Sequence, residues 1–169
     1  MLIAEDHDIN QALITAMAQR AGFDPVIARN GAEAVVMVAA AAAECCPFAL
    51  VLMDIQMPEV DGLEATRRLR AAGFDAETLP IVALTANAYA EDIAACLASG
   101  MQAHLSKPVR LRDLEALADK LVAARAAPRV TASVSPPTDS LTARFARRQR
   151  DMLEQIAKVI REERVETME

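Results

Sequence analysis

The chain of 169 residues contains no tryptophan, and aromatic residues make up only 3% of it. Its core must therefore be aliphatic, and a 53% apolar composition is sufficient for one. The three cysteines (Cys45, Cys46 and Cys96) show neither a metal-binding spacing nor a disulfide framework, so we expect reduced thiols in a cytoplasmic protein. The longest apolar run, residues 34–43, is too short to span a membrane, and the first residues lead directly into acids, without a signal peptide.

Positive charge is also scarce, since the net charge is −6. Residues 1–127 carry 17 acids and 10 bases, whereas residues 128–169 carry 7 acids and 8 bases. This balance argues against binding nucleic acid through the body of the protein. No glycine-rich phosphate loop follows the first apolar stretch, which argues against a nucleotide-binding fold.

The most informative stretch is residues 50–58, Leu-Val-Leu-Met-Asp-Ile-Gln-Met-Pro. Its short apolar run is typical of a strand that is buried on both faces of a parallel sheet. Pro58 cannot continue the strand, so a loop must begin there. Asp54 therefore lies at the carboxyl end of a buried strand, where open α/β sheets place their ligand sites.

The rest of the chain repeats this pattern. Short apolar stretches alternate with helical periodicity, which predicts five strands and five helices up to about residue 125. The fold class is therefore α/β: a doubly wound, five-stranded parallel sheet with helices on both faces. All strands of such a sheet end at one edge, so this fold predicts one cleft that contains Glu5, Asp6, Asp54, Thr85 and Lys107.

These residue types suit phosphoryl transfer to a carboxylate. Three acids in one cleft repel one another, and Mg²⁺ relieves the repulsion because it prefers oxygen ligands. Lys107 offers a mobile charge and Thr85 a hydroxyl for a phosphoryl group, with Asp54 as the nucleophile. Each residue taken alone would be an ordinary turn, cap or surface residue. The prediction therefore depends on their joint placement.

The motifs resemble the receiver domain of two-component signalling, of the kind that is fused to hybrid histidine kinases. The resemblance covers about residues 1–125 and rests on Glu5-Asp6, Met53-Asp54-Ile55-Gln56-Met57-Pro58, Asp61-Gly62, Leu84-Thr85-Ala86 and Ser106-Lys107-Pro108. It implies strand order 2-1-3-4-5 and a cis bond before Pro108. It also implies autophosphorylation and autodephosphorylation chemistry.

The resemblance assigns a role to each site residue. Asp54 would be phosphorylated by a histidine kinase domain or a histidine phosphotransfer protein. Mg²⁺ would be bound by Asp6, Asp54 and the Gln56 carbonyl, with Glu5 acting through water. Lys107, Thr85 and the Ala86 amide would contact the phosphoryl group. The switch residues would be Thr85 and His104, and the partner-binding face would span residues 88–122.

One position departs from the family pattern: His104 stands where an aromatic residue that moves on activation is usual. Its charge would make such a switch sensitive to pH. Two other functions are weighed. A binding-only pseudo-receiver conflicts with the complete acid, threonine and lysine set. A phosphohydrolase needs a general acid two residues after its nucleophile, where this chain has Gln56.

The last prediction concerns the C-terminal part of the chain, residues 126–169. A proline- and serine-rich change of composition predicts a linker over residues 126–140, and helical spacing resumes over residues 141–169. This last segment resembles the truncated start of a phosphotransfer domain, so we expect the chain to be a piece of a longer kinase, either cytoplasmic or membrane-bound. The sequence predicts no nucleic-acid partner and no membrane segment, and it leaves dimer formation open.

Overall fold

A computed structural model describes the backbone of residues 1–86 and 89–126 and the side chains of these ranges up to residue 120. The predicted linker and final helix lie outside the described residues and stay predictions. The elements in chain order are β1 (Leu2–Ala4), α1 (Asp8–Arg20), β2 (Val26–Ala28), α2 (Gly31–Ala43), β3 (Val51–Asp54), α3 (Gly62–Ala71), β4 (Ile81–Thr85), α4 (Ala90–Ser99), β5 (Ala103–Ser106) and α5 (Leu111–Ala126).

The five strands form one parallel sheet in the order β2-β1-β3-β4-β5, as predicted. Side chains of successive strand residues point to opposite faces, and both faces are buried. On one face Leu2, Val51 and Ile81 join a core with residues of α2 and α3. On the other face Ile3 and Leu52 join a core with residues of α1 and α5. This double burial explains why the strands are apolar throughout.

Two helices begin with a side-chain cap: the spacing of residues 61–64 predicts the cap of α3, whereas Asn30 was expected only in a turn. The Asn30 side chain accepts a hydrogen bond from the Glu33 N–H at 2.7 Å and begins α2. Asp61 accepts likewise from the Glu64 N–H at 2.7 Å and begins α3. Satisfying these amide groups stabilises each helix by about 1 kcal/mol.

An aspartate just before helical periodicity predicts Asp8 as the cap of α1, and this prediction was wrong. His7 is the N-cap residue, without a side-chain hydrogen bond, and Asp8 is the first helical residue. A carboxylate in the first turn still interacts favourably with the helix dipole. The sequence also predicts a strand from Phe23 to Ala28, but β2 begins only at Val26, because Phe23 donates its N–H to Ala18 O and so completes the end of α1.

Within the described ranges, no helix is both long and apolar enough to cross a membrane. The described part of the chain also contains the three cysteines, which are all free; Cys45 and Cys46 are exposed and Cys96 is buried.

Candidate functional site

The carboxyl ends of β1, β3, β4 and β5 meet at one edge of the sheet, where they form a cleft of about 250 Å³. Parallel register aligns these ends: Ala4 pairs with Met53, and Asp54 pairs with Leu84. The residues just beyond the aligned positions therefore face the same space. The lining includes Glu5, Asp6, Asp54, Gln56, Thr85, Ala86 and Lys107.

Three carboxylates lie close together in this cleft. One oxygen each from Glu5, Asp6 and Asp54 lies within 4.8 Å of the others. Glu5 and Asp54 are buried, and Asp6 is exposed at the mouth. Such an all-oxygen cluster, open to solvent on one side, matches the ligands that Mg²⁺ prefers.

Lys107 compensates for the two buried carboxylates. Its Nζ lies 2.6 Å from Asp54 Oδ2 and 2.7 Å from Glu5 Oε2. Burial alone would lower the pKa of Lys107, but its contacts with Asp54 and Glu5 prevail and raise it. The lysine therefore stays protonated at neutral pH and provides the positive charge that the cleft requires.

For the pKa of Asp54, the effect of burial is larger than the effect of its contacts. Burial raises its pKa above 3.8, although the hydrogen bond and charge of Lys107 act to lower it. Nearby Glu5 raises it further, whereas the Gln56 N–H, 3.4 Å from Asp54 Oδ1, lowers it. An ionised carboxylate that is incompletely compensated is a better nucleophile than one held by several strong donors.

Backbone packing fixes the chain that follows Asp54. The Gly62 N–H donates to Ile55 O at 3.0 Å. A Cβ built on Gly62 would lie 2.0 Å from the carbonyl oxygen of Asp54. Only glycine therefore allows α3 to begin this close to β3. Sequence reasoning treated Gly62 as part of a helix start and missed this role.

The loop after β5 carries Lys107 into the cleft. The Lys107 N–H donates to Thr85 O at 2.8 Å, which ties the two strand ends together. The bond between Lys107 and Pro108 is cis, as the resemblance implied. Thr85 is 4% exposed and lies at the cleft.

The structure does not bring His104 to the cleft. His104 pairs with Ala83 in the sheet and is half-buried. It is not among the described residues that line the cleft. Three further polar residues line the cleft: His7, Asn10 on α1 and Asp92 on α4. Sequence reasoning assigned no role in the cleft to Asn10 or Asp92. The signal for Asn10 was available, since it is a polar residue in the first turn of a helix that begins beside the acids.

Comparison with known proteins agrees with this geometry. The sequence model of the response regulator receiver domain matches residues 1–119. The chain belongs to this family.

Its curated relatives include hybrid-type kinases. The sensor histidine kinase RcsC of Salmonella typhi is 38% identical over 115 residues, which cover 68% of this chain and 11% of that protein. The osmosensing histidine protein kinase SLN1 of Saccharomyces cerevisiae is 37% identical over 126 residues, covering 73% of this chain and 10% of that protein. The chain thus spans about a tenth of the length of these relatives.

Solved structures give the same family. The receiver domain of a Pseudomonas aeruginosa sensor histidine kinase, with a magnesium ion coordinated in its active-site cleft, is 34% identical with a TM-score of 0.62. The similarity covers 72% of this chain and 95% of that one. The receiver domain of yeast Ssk1, solved with the histidine phosphotransfer protein Ypd1, is 30% identical with a TM-score of 0.64, covering 76% and 92%.

Proposed function

We propose that this chain is the phosphoacceptor module of a phosphorelay and that Asp54 carries the phosphoryl group. The observation that carries the proposal is the position of Lys107 Nζ, 2.6 Å from the Asp54 carboxylate at the mouth of an acidic cleft. An ammonium group there can neutralise charge on an incoming phosphoryl group. The same group acts against the effect of burial and lowers the pKa of Asp54, which favours the ionised, nucleophilic form.

The proposed reaction takes a phosphoryl group from a phosphohistidine. An oxygen of Asp54 attacks phosphorus, the new O–P bond forms, and the N–P bond breaks. The histidine nitrogen leaves with that electron pair, so the product is an acyl phosphate on Asp54. Lys107, Thr85 and the Ala86 amide are proposed to contact the phosphoryl oxygens, because all three lie at the same cleft.

The acidic cluster fits Mg²⁺. Glu5 Oε2 is buried without a hydrogen-bond partner among the described residues, and its charge is balanced by the ion pair with Lys107. We propose that Asp6, Asp54 and Gln56 hold the metal and that Glu5 acts through a water ligand. When bound, Mg²⁺ would neutralise charge on the carboxylates and on the phosphoryl group.

The proposed donor is a histidine kinase domain or a phosphotransfer protein. Its support is the family and the similarity to the Ssk1 receiver domain solved with Ypd1. We place the protein in the cytoplasm, which the free, exposed thiols of Cys45 and Cys46 support. The roles of Thr85 and His104 in switching, and dimer formation, stay predictions.

The test is intact-protein mass spectrometry after incubation with a small acyl-phosphate donor and Mg²⁺. We expect the wild-type protein to gain one phosphate, and the Asp54→Asn variant to gain none. Asp61→Asn is the matched control, because Asp61 is an exposed carboxylate that caps α3, and it should be phosphorylated like wild type. Phosphorylation that persists in Asp54→Asn would refute the assignment, and its absence from the wild-type protein would favour a binding-only module.

A further inference from the structure

Glu5 is a carboxylate with no exposed surface, and helix α1 holds it from one side. Asn10 Nδ2 donates to Glu5 Oε1 at 2.9 Å, and the His7 N–H lies 3.4 Å from the same oxygen. Gln11 Nε2 donates to the main-chain oxygen of Glu5 at 2.6 Å. Both the side chain and the backbone of Glu5 are thus bound by the first turns of α1.

The two carboxylate oxygens of Glu5 therefore differ in their surroundings. Oε1 accepts from the helix, whereas Oε2 lies 2.7 Å from Lys107 Nζ and belongs to the acidic cluster. A half-turn about the Cγ–Cδ bond only exchanges two equivalent oxygens, but a partial rotation would break the hydrogen bond with Asn10 and turn the other oxygen away from the acidic cluster. Because an unpartnered polar group in a buried site costs about 1–3 kcal/mol, the amide of Asn10 opposes that rotation.

We propose that Asn10 is a positioning residue for the metal: by holding Glu5 Oε1, it keeps Oε2 directed into the cluster, where it can accept from a metal-bound water. This inference rests on the proposed function, in which the acidic cluster holds Mg²⁺; a carboxylate oxygen has two lone pairs, so Oε2 can accept from a metal-bound water while it faces Lys107. An amide suits the role because it is neutral. A lysine at this position would cancel the negative charge that attracts the cation, and an aspartate would repel Glu5.

The first measurement is Mg²⁺ affinity by isothermal titration calorimetry on the unphosphorylated protein. We expect Asn10→Ala to weaken Mg²⁺ binding about 10-fold, the scale of effect seen when an outer partner of a metal ligand is removed. Gln19→Ala is the matched control, because Gln19 is an exposed amide on the same helix, and its affinity should equal that of wild type. Unchanged affinity in Asn10→Ala would overturn the inference.

The second measurement separates positioning from a general effect on folding. If Asn10 acts through Glu5, its substitution should have little further effect on Mg²⁺ affinity in a Glu5→Ala background. Equal losses in both backgrounds would overturn the inference. Glu5→Gln replaces Glu5→Ala if thermal unfolding shows that the alanine variant is not folded.

The two proposals fail in different ways. A wild-type protein that binds no Mg²⁺ would overturn both of them. A wild-type protein that binds Mg²⁺ and is phosphorylated on Asp54, with Asn10→Ala behaving identically, would overturn only the role of Asn10.

Discussion

Replacement of Lys107 by methionine tests the charge balance of the cleft. The change keeps a long apolar side chain but removes the ammonium that lies 2.6 Å from Asp54 Oδ2 and 2.7 Å from Glu5 Oε2. The side chains of these acids are 8% and 1% exposed, so water cannot replace the lost cation fully. We therefore expect the free energy of unfolding to fall.

The magnitude follows from two limits. Removing one partner of a buried ion pair typically costs about 3–5 kcal/mol, and the 21% exposure of Lys107 favours the lower end. The variant can also remove the uncompensated negative charge by protonating one carboxylate. Starting from the reference pKa of 3.8 for Asp54, this protonation costs about 5 kcal/mol at about pH 7.5 and about 2 kcal/mol at about pH 5. We expect a loss of about 3 kcal/mol at the higher pH and a smaller loss at the lower one, where protonation costs less.

The sign of the pH dependence is the critical point. A carboxylate whose folded pKa is raised binds its proton more tightly when folded, so stability falls as pH rises from 3.8 through the folded pKa. Loss of Lys107 raises the pKa of Asp54 further and extends this fall toward neutral pH. Added Mg²⁺ should restore part of the stability in the variant, because it supplies positive charge to the same acids.

The assay is urea unfolding followed by far-ultraviolet circular dichroism, since the chain has no tryptophan for fluorescence. Lys120→Met is the matched control, because Lys120 is an exposed lysine on α5, and it should change stability by less than about 0.5 kcal/mol. A Lys107→Met loss that is equal at both pH values, or no larger than that of Lys120→Met, would refute the reasoning.

Three further substitutions test other features by the same unfolding assay. Asp54→Asn should stabilise the protein by about 1 kcal/mol at neutral pH, because burial raises the pKa of Asp54 and its ionised form opposes folding. This gain in stability should shrink as the pH falls toward 3.8. A loss of stability at neutral pH would contradict the prediction. Cys45 directly follows the C-cap residue of α2 and has a φ of 59°, a conformation that favours glycine, so Cys45→Gly should stabilise the protein by about 0.5–1 kcal/mol. Cys46→Gly lacks that benefit and should not stabilise. Gly62→Ala should destabilise the protein by about 2 kcal/mol or more, because the new Cβ would lie 2.0 Å from Asp54 O. Gly22→Ala is the control: Gly22 has a φ of 85°, but nothing lies within 4 Å of its Cβ position, so the loss should be about 1 kcal/mol. Equal losses in the two variants would count against the clash.

The comparison between sequence and structure is clearest in the strands. Their apolar runs predicted a parallel sheet buried on both faces, and that sheet is present with the expected order. Strand ends were less predictable. Strand β2 begins only at Val26, because Phe23 satisfies the end of α1, and α1 is capped by His7 instead of Asp8. Local propensity does not determine which of two competing hydrogen bonds forms.

For the candidate site, the sequence placed the acids, the threonine and the lysine in one cleft, since each ends a strand or comes just after one. It could not find the function of Gly62, because the sequence does not show that the carbonyl oxygen of Asp54 lies 2.0 Å from the position a Cβ would take. It also missed Asn10, whose relation to Glu5 is a hydrogen bond across a turn.

The sequence by itself determined the sheet, the layering of helices and the edge at which polar residues gather, because these follow from the period of apolar residues and the parallel direction of the strands. Only the tertiary structure decided that Lys107 pairs with Glu5 as well as Asp54, and that Asn10 donates a hydrogen bond to one carboxylate oxygen of Glu5. Distances below 3 Å between residues up to 102 positions apart depend on packing and loop geometry, which no local pattern encodes.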